Sequence, residues 1–331
     1  LENIEIEPLF WLLLRLIVSD LEKDKKSYRH RISPTMTTTA PWQAIEQAIA
    51  ANTNSDFHRQ SSTPVGGGCI HSAYRVTGDD KSYFVKCNSA KCAPMFEVEA
   101  QALREMAATQ TVKVPRPVCQ GAAKSTAYLV LEWLPLGTNR AAGDRILGRQ
   151  LADMHRIEQP YYGWTQDNFI GSTPQSNDPT DDWCEFWRTQ RLGFQLELAA
   201  EHGFGGRLQR DGDRLCDRLD GFFGSYSPKP AMLHGDLWGG NHAMDESGRP
   251  VIFDPACYNG DREADLAMTE LFGGFGADFY AAYNESYPLH PDCPVRKTLY
   301  NLYHILNHLN LFGGGYLSQA ESMIQRLLAE A

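Results

Sequence analysis

The chain has 331 residues, 42 % apolar and 11 % aromatic, enough for a sizeable core spread over two domains or two lobes. Its formal net charge of −10 speaks against a nucleic-acid partner, although a local cluster of donors can still take an anionic small ligand. The eight cysteines (Cys69, Cys87, Cys92, Cys119, Cys184, Cys216, Cys257 and Cys293) include no CxxC pair and read as reduced thiols of a cytoplasmic protein.

Residues 1–35 differ in composition from the rest of the chain. The apolar run PLFWLLLRLIVSD is broken by Arg15 and is short for a bilayer span, so no membrane partner is expected. Glu2, Glu5 and Glu7 precede it where a secretory signal would be basic. EKDKKSYRHR then reads as solvated charge. We expect 1–35 to be an extension outside the main fold, either an amphipathic helix or sequence upstream of a start at Met36. After Met36, TTTAPWQAIEQAIA carries helix-start chemistry and helical periodicity.

From Ser62 to Val85 the pattern is strands and turns: an apolar approach, the glycine run of STPVGGGCIHSAYRV, the turn GDDK and the strand SYFVKC. APMFEVEAQALREMAAT is a helix, apolar at Phe96, Ala100, Leu103 and Met106. VKVPRPVCQGAAKSTAYLVLEWL adds strands around a glycine-containing turn. Beyond a linker near Leu134–Thr138 the chain is mostly helical, with RPVIFDPA as a short buried strand. The expected architecture is α+β and two-lobed. Residues 36–134 would be a small antiparallel sheet with one helix that binds nucleotide. Residues 135–331 would be a larger helical lobe with the catalytic loop, metal and acceptor site.

The order of chemical groups points to phosphoryl transfer, which needs a phosphate cradle, a lysine on the phosphates, metal ligands and a group to receive the acceptor's proton. LHGDLWGGN sets Asp236 five residues before Asn241, the D-x-x-x-x-N half of a kinase catalytic loop. Asp236 can take the proton of a substrate hydroxyl, and the amide oxygen of Asn241 can turn back to Mg²⁺. Asp254, just past the apolar strand PVIF, is placed as a second metal ligand. Lys86 ends YFVK, and Glu99 on the next helix can pair with it, in competition with Glu97 and Glu105. Gly67 and Gly68 in GGGC can bring backbone N–H groups to phosphate, although a full GxGxxG is missing.

On these residues the sequence resembles the fructosamine/ketosamine-3-kinase family, within the protein-kinase-like group that includes aminoglycoside phosphotransferases. MLHGDLWGGN is close to the family's LLHGDLWSGN, and VIFDPACYNGDREADLAMTELFGGF, YFVKC, FEVEAQAL, LVLEWL, GRQLADMH, GWTQDNFIGSTPQ and FWRTQRL fit as well. The resemblance runs from about Pro41 to the C-terminus. It implies a two-lobed protein-kinase-like fold and ATP- and Mg²⁺-dependent phosphorylation of the sugar 3-hydroxyl of ketosamines, on small molecules or glycated proteins. The product is unstable and releases the amine. By this likeness Asp236 is the base, Asn241 and Asp254 hold magnesium, Lys86 with Glu99 holds the phosphates, and Glu132 and Leu134 offer backbone groups to adenine. Ala102 and His242 depart from residues common in the family without removing a chemical group.

Weaker signals carry paired readings. Trp238 serves packing and walls the acceptor site. Trp164, Asp167 and Asn168 either touch sugar hydroxyls or belong to an ordered loop. Asp265 braces the catalytic loop, Asp261 caps a helix, His155 closes one, and His304 and His308 are structural. Cys69, next to Gly68, is either a small buried residue or a reactive thiol that links two copies through a disulfide, giving a redox-linked homodimer. The rivals are a kinase for another small hydroxyl compound, such as an aminoglycoside or a choline-like molecule, and a pseudokinase acting as a binding module.

Overall fold

The computed structural model describes residues 40–331, apart from 67–69, 138–140 and 225. The expected extension 1–35 lies outside the described residues. Helix α1 (Trp42–Thr53) leads into strands β1 (Ser61–Val65), β2 (Ser72–Thr77) and β3 (Ser82–Ser89). Helix α2 (Ala93–Ala108) then returns the chain to β4 (Pro117–Ala123) and β5 (Thr126–Glu132). The five strands form one antiparallel sheet in the order β1-β2-β3-β5-β4.

Strand alternation decides which way each side chain of this sheet points. Tyr128 and Val130 of β5 join Tyr83, Val85 and Cys87 of β3 in a small core capped by Ile45 and Ile49 of α1. Ala127, Leu129 and Leu131 face the other way, into the main core with Phe96, Leu103 and Met106 of α2. Lys86 pairs in register with Leu129, so it shares that second face and points toward α2. The α2 stripe is the one its sequence periodicity predicts, and Pro94 falls in its first turn, where a missing N–H costs little.

After the sheet come β6 (Leu136–Gly137), α3 (Ala141–His155), β7 (Asn168–Ile170) and β8 (Thr173–Gln175). Helix α4 (Trp183–Trp187) runs through a π-helical segment (Arg188–Gly193) into α5 (Phe194–Glu201), followed by α6 (Arg207–Cys216). Next are β9 (Ala231–Leu233), β10 (His242–Asp245), β11 (Pro250–Ile252) and β12 (Tyr258–Gly260). Helices α7 (Glu263–Leu271), α8 (Ala277–Ser286), α9 (Cys293–Phe312) and α10 (Leu317–Glu330) complete the described chain. β9 pairs with β12, and β10 lies between β11 and β6. Both small ladders therefore hold the two ends of the expected catalytic segment. The buried strand expected in RPVIFDPA is β11.

The helical region also packs backbone against backbone. A Cβ at Gly148 of α3 would sit 2.4 Å from the Phe279 carbonyl oxygen and 3.0 Å from the Tyr283 nitrogen, both on α8. Alanine improves helix propensity by about 1 kcal/mol over glycine. Overpacking against immovable backbone costs about 1–3 kcal/mol, so the clash should win. Gly148→Ala is therefore expected to lower stability in a denaturant titration. A stabilised variant would contradict the close α3–α8 contact.

Candidate active site

A cavity of about 630 Å³ opens between the five-stranded sheet and the helical region. Lys86 lies on it at 5 % exposure. Its Nζ donates to Glu99 Oε1 at 2.7 Å and to Asp254 Oδ1 at 2.6 Å. Burial alone would drive the ammonium toward its neutral form, but Asp254 and Glu99 outweigh that and hold its pKa above the ordinary lysine value. Glu99 is pushed up by burial, with Lys86 opposing. Asp254 is held below the usual carboxylate range, because Lys86 overcomes the desolvation. Asp254 also has a left-handed φ of 58°, a costly conformation for a residue with a side chain.

The expected catalytic segment leaves the buried strand β9 at His234. Asp265, at the start of α7, accepts the backbone N–H groups of His234 (2.7 Å) and Gly235 (2.8 Å) on its two oxygens. His155 Nε2 lies 3.2 Å from the same carboxylate, and its Nδ1 is 2.9 Å from the Tyr283 hydroxyl. His155 thus ends α3 and also supports Asp265. His234 Nε2 is 2.9 Å from the Phe253 carbonyl, and the His234 carbonyl accepts from the Ala256 N–H at 2.9 Å. The loop is in this way pinned to both sides of Asp254.

Asp236 and Asn241 meet within this loop. Asn241 Nδ2 donates to the Asp236 carbonyl at 2.8 Å and to Asp236 Oδ2 at 3.1 Å. With its nitrogen so used, Asn241 has its amide oxygen left to accept or to ligate. Burial raises the Asp236 carboxyl well above the ordinary range, the Asp254 charge adds to this, and the Asn241 hydrogen bond opposes both.

The other cavity walls are mostly apolar: Ala73, Phe84, Leu131, Phe169 and Phe253. Glu132, Trp133 and Leu134 line it where the chain leaves the sheet. The Glu132 N–H donates to the Arg116 carbonyl at 2.9 Å, and its carboxylate accepts from Arg116 Nε at 3.2 Å. Trp238 lines the far side at 38 % exposure, edge-on to Phe272. Gly67, Gly68 and Cys69 lie outside the described residues. Their neighbours Gly66 and Ile70 line the cavity.

The loop 164–168 does not present its polar atoms to the cavity. Trp164 is buried, and its indole N–H donates to Glu105 Oε2 at 2.8 Å. Asp167 accepts from the Asn177 N–H at 2.9 Å, and neither Trp164 nor Asp167 is on the cavity lining. Asn168 does line it, but its Nδ2 is bound to the Cys257 carbonyl and its Oδ1 to Gln175 and Asn177. Of the two readings for these three residues, the ordered loop is the one whose hydrogen bonds are seen.

His71 is a cavity residue that sequence reasoning misses. Its ring lies on Phe96, with Nδ1 2.9 Å from Asn88 Nδ2. Burial, helped by the Lys86 charge, lowers its pKa to about 4, so it is neutral near pH 7. The one signal is its place at the end of the glycine run, where the strand pattern masks it. His304 is neutral as well, lowered to about 3 by burial. Asp261 accepts the Glu263 N–H at 3.0 Å at the start of α7, in a helix-capping role.

The sequence profile of the fructosamine kinase family matches residues 41–330. The chain belongs to the fructosamine kinase family. A "probable ketoamine kinase" of Synechocystis sp. is 47 % identical over 88 % of this chain and 99 % of its own length. The chloroplastic protein-ribulosamine 3-kinase of Arabidopsis thaliana is 42 % identical, covering 80 % of this chain and 81 % of that one. A Haemophilus somnus crystal structure provisionally assigned as a fructosamine-3-kinase superposes with a TM-score of 0.81 at 30 % identity, over 87 % of this chain and 97 % of that one. An aminoglycoside phosphotransferase matches at 14 % identity and a TM-score of 0.60, over 87 % and 99 % of the two chains. That last likeness concerns the fold, which is α+β and protein-kinase-like as expected.

Gly235 tests the geometry of the fructosamine kinase loop. Its φ is 80°, and a Cβ there would come 2.0 Å from the Ala256 carbonyl oxygen. The left-handed conformation alone costs a non-glycine residue about 1–2 kcal/mol. Gly235→Ala is expected to destabilise the protein by about 2 kcal/mol or more in denaturant unfolding. An unchanged midpoint would show that the loop lies elsewhere.

Proposed function

We propose that this chain is an ATP- and Mg²⁺-dependent kinase that phosphorylates the 3-hydroxyl of ketosamines, fructosamines or ribulosamines, on small amines or glycated proteins. One observation carries the reading: in a fructosamine kinase chain, Lys86 with its two carboxylates and the Asp236–Asn241 pair line the same cavity. The relatives named as ketoamine and ribulosamine kinases support the substrate class. In this reading residues 36–134 form the nucleotide lobe and 135–331 the lobe with the catalytic loop and acceptor site.

The residues present fit a magnesium ion. Asn241 Oδ1 and the Asp254 carboxylate are hard oxygen donors, and Asp254 is 46 % exposed, open to a ligand. No cluster of three His, Cys, Asp or Glu side chains suited to a metal occurs among the described residues. Such a sparse set suits Mg²⁺, which keeps waters and substrate phosphates as its other ligands. When bound, the ion neutralises charge on the transferring phosphate.

The protein's own groups do the rest. Lys86, kept charged and fixed by Glu99, holds phosphate oxygens. The Glu132 carbonyl receives adenine, since its N–H already serves Arg116, and the Leu134 backbone supplies a second contact. Gly67 and Gly68 approach the phosphates. Trp238 stands against the sugar. Asp236, made more basic by burial and held by Asn241 Nδ2, takes the hydroxyl proton as the acceptor oxygen attacks. The product then decomposes and frees the amine, so the activity amounts to deglycation. Seven cysteines are unpaired among the described residues, in keeping with a reducing compartment such as the cytoplasm. Among those residues no helix is long and apolar enough to cross a membrane.

The test is a phosphate-transfer assay against a free fructosamine, a ribulosamine and a glycated protein. Transfer to at least one is expected, and its absence with all three would sink the substrate assignment. Asp236→Asn should lower turnover by roughly 10²-fold or more while ATP still binds. Near-normal turnover in that variant would remove Asp236 as the base.

A further inference from the structure

We propose that Trp164 and Glu105 are positioning residues that clamp α2 against the catalytic region, so that the Lys86–Glu99 pair is held formed. This rests on the proposed nucleotide site in the cavity. Glu105 lies on α2, six residues beyond Glu99. Its Oε2 accepts the Trp164 indole N–H at 2.8 Å, and its Oε1 accepts from Gln101 Nε2 at 2.7 Å. Gln101 in turn donates to Thr165 Oγ1 at 3.1 Å and accepts from Gln166 Nε2. Two side chains of α2 therefore grip three consecutive residues, 164–166, of a loop outside the sheet.

That loop is itself built into the catalytic region. The Trp164 N–H donates to the Asn177 carbonyl at 2.9 Å. Gly163 exchanges two backbone hydrogen bonds with Asn259 of β12, at 2.9 and 2.7 Å. Asn259 pairs in register with Met232 of β9, the strand that runs directly into His234 and Asp236. A continuous path thus leads from the catalytic segment through β12 and Trp164 to α2, and along α2 to Glu99 and Lys86.

The buried stripe of Phe96, Leu103 and Met106 packs α2 on the sheet core, and the Glu105–Trp164 bond adds a directional tie to the loop that leads to β12. That tie joins a buried indole donor to a carboxylate, stronger than a neutral hydrogen bond. It lies away from the cavity lining, so its loss removes no ligand contact.

The experiment is a double-mutant cycle read by calorimetric binding of ATP with Mg²⁺, in the absence of acceptor. Trp164→Phe keeps the ring bulk and removes the donor. Glu105→Ala removes the acceptor and leaves Trp164 in place, a second route should the first variant fold poorly. Each is expected to weaken ATP binding about tenfold. In a Lys86→Met background neither should weaken it further, because the contact that the clamp serves is already gone. Unchanged affinity in both single variants would overturn the clamp. So would an equal loss with and without Lys86, which is the mark of general packing damage. Wild-type affinity in Lys86→Met alone would overturn the nucleotide reading of the site, and the clamp with it.

Discussion

A buried ammonium group organises this fold. Lys86 sits on the inward face of β3 with its side chain 6 % exposed. A lysine taken out of water without a partner loses its charge or costs several kcal/mol. Two carboxylates from distant parts of the chain prevent that, and in doing so they fix where those parts lie. Glu99 ties α2 to the sheet. Asp254 ties the end of β11 to it across 168 residues of sequence. The strained φ of Asp254 belongs to the same arrangement, since it turns the carboxylate back toward the cavity directly after a buried strand.

The two partners are not equivalent. Glu99 is 12 % exposed and Asp254 46 %. The enclosed carboxylate is suited to be the standing partner, and the open one can exchange Lys86 for another cation. Asp265 plays the corresponding part for the loop that carries Asp236 and Asn241. Its two oxygens hold successive backbone N–H groups of His234 and Gly235, and His155 backs it from α3. Asp236 is thereby set by buried backbone bonds, and its basicity by desolvation and the Asp254 charge.

Much of this was legible in local spacing. The five-residue interval from Asp236 to Asn241, an acid after a buried strand and a lysine on a strand before a helix are short-range patterns. The choice of Glu99 over Glu97 and Glu105 stayed open on the residues alone and came from the family resemblance; the structure supplies the physical reason. Glu99 falls three residues after Phe96 and four before Leu103, inside the buried stripe of α2, whereas Glu97 is exposed. For the loop 164–168 the sequence offered a sugar site or an ordered loop and could not choose. The deciding partners, Glu105, Asn177 and Cys257, are brought close only by the tertiary fold. His71 escaped for the same reason: its cavity position depends on α2 lying beneath it.

In the proposed reading, Lys86 and Asp254, which neutralise each other in this structure, would part when Asp254 holds a metal and Lys86 a phosphate. The direct measurement is ATP affinity by calorimetry, with Mg²⁺ present and with the metal removed by a chelator. We predict binding at least about tenfold weaker without the metal, because the exposed carboxylate then stays on Lys86 and repels the phosphates. Equal affinity in both conditions would contradict it.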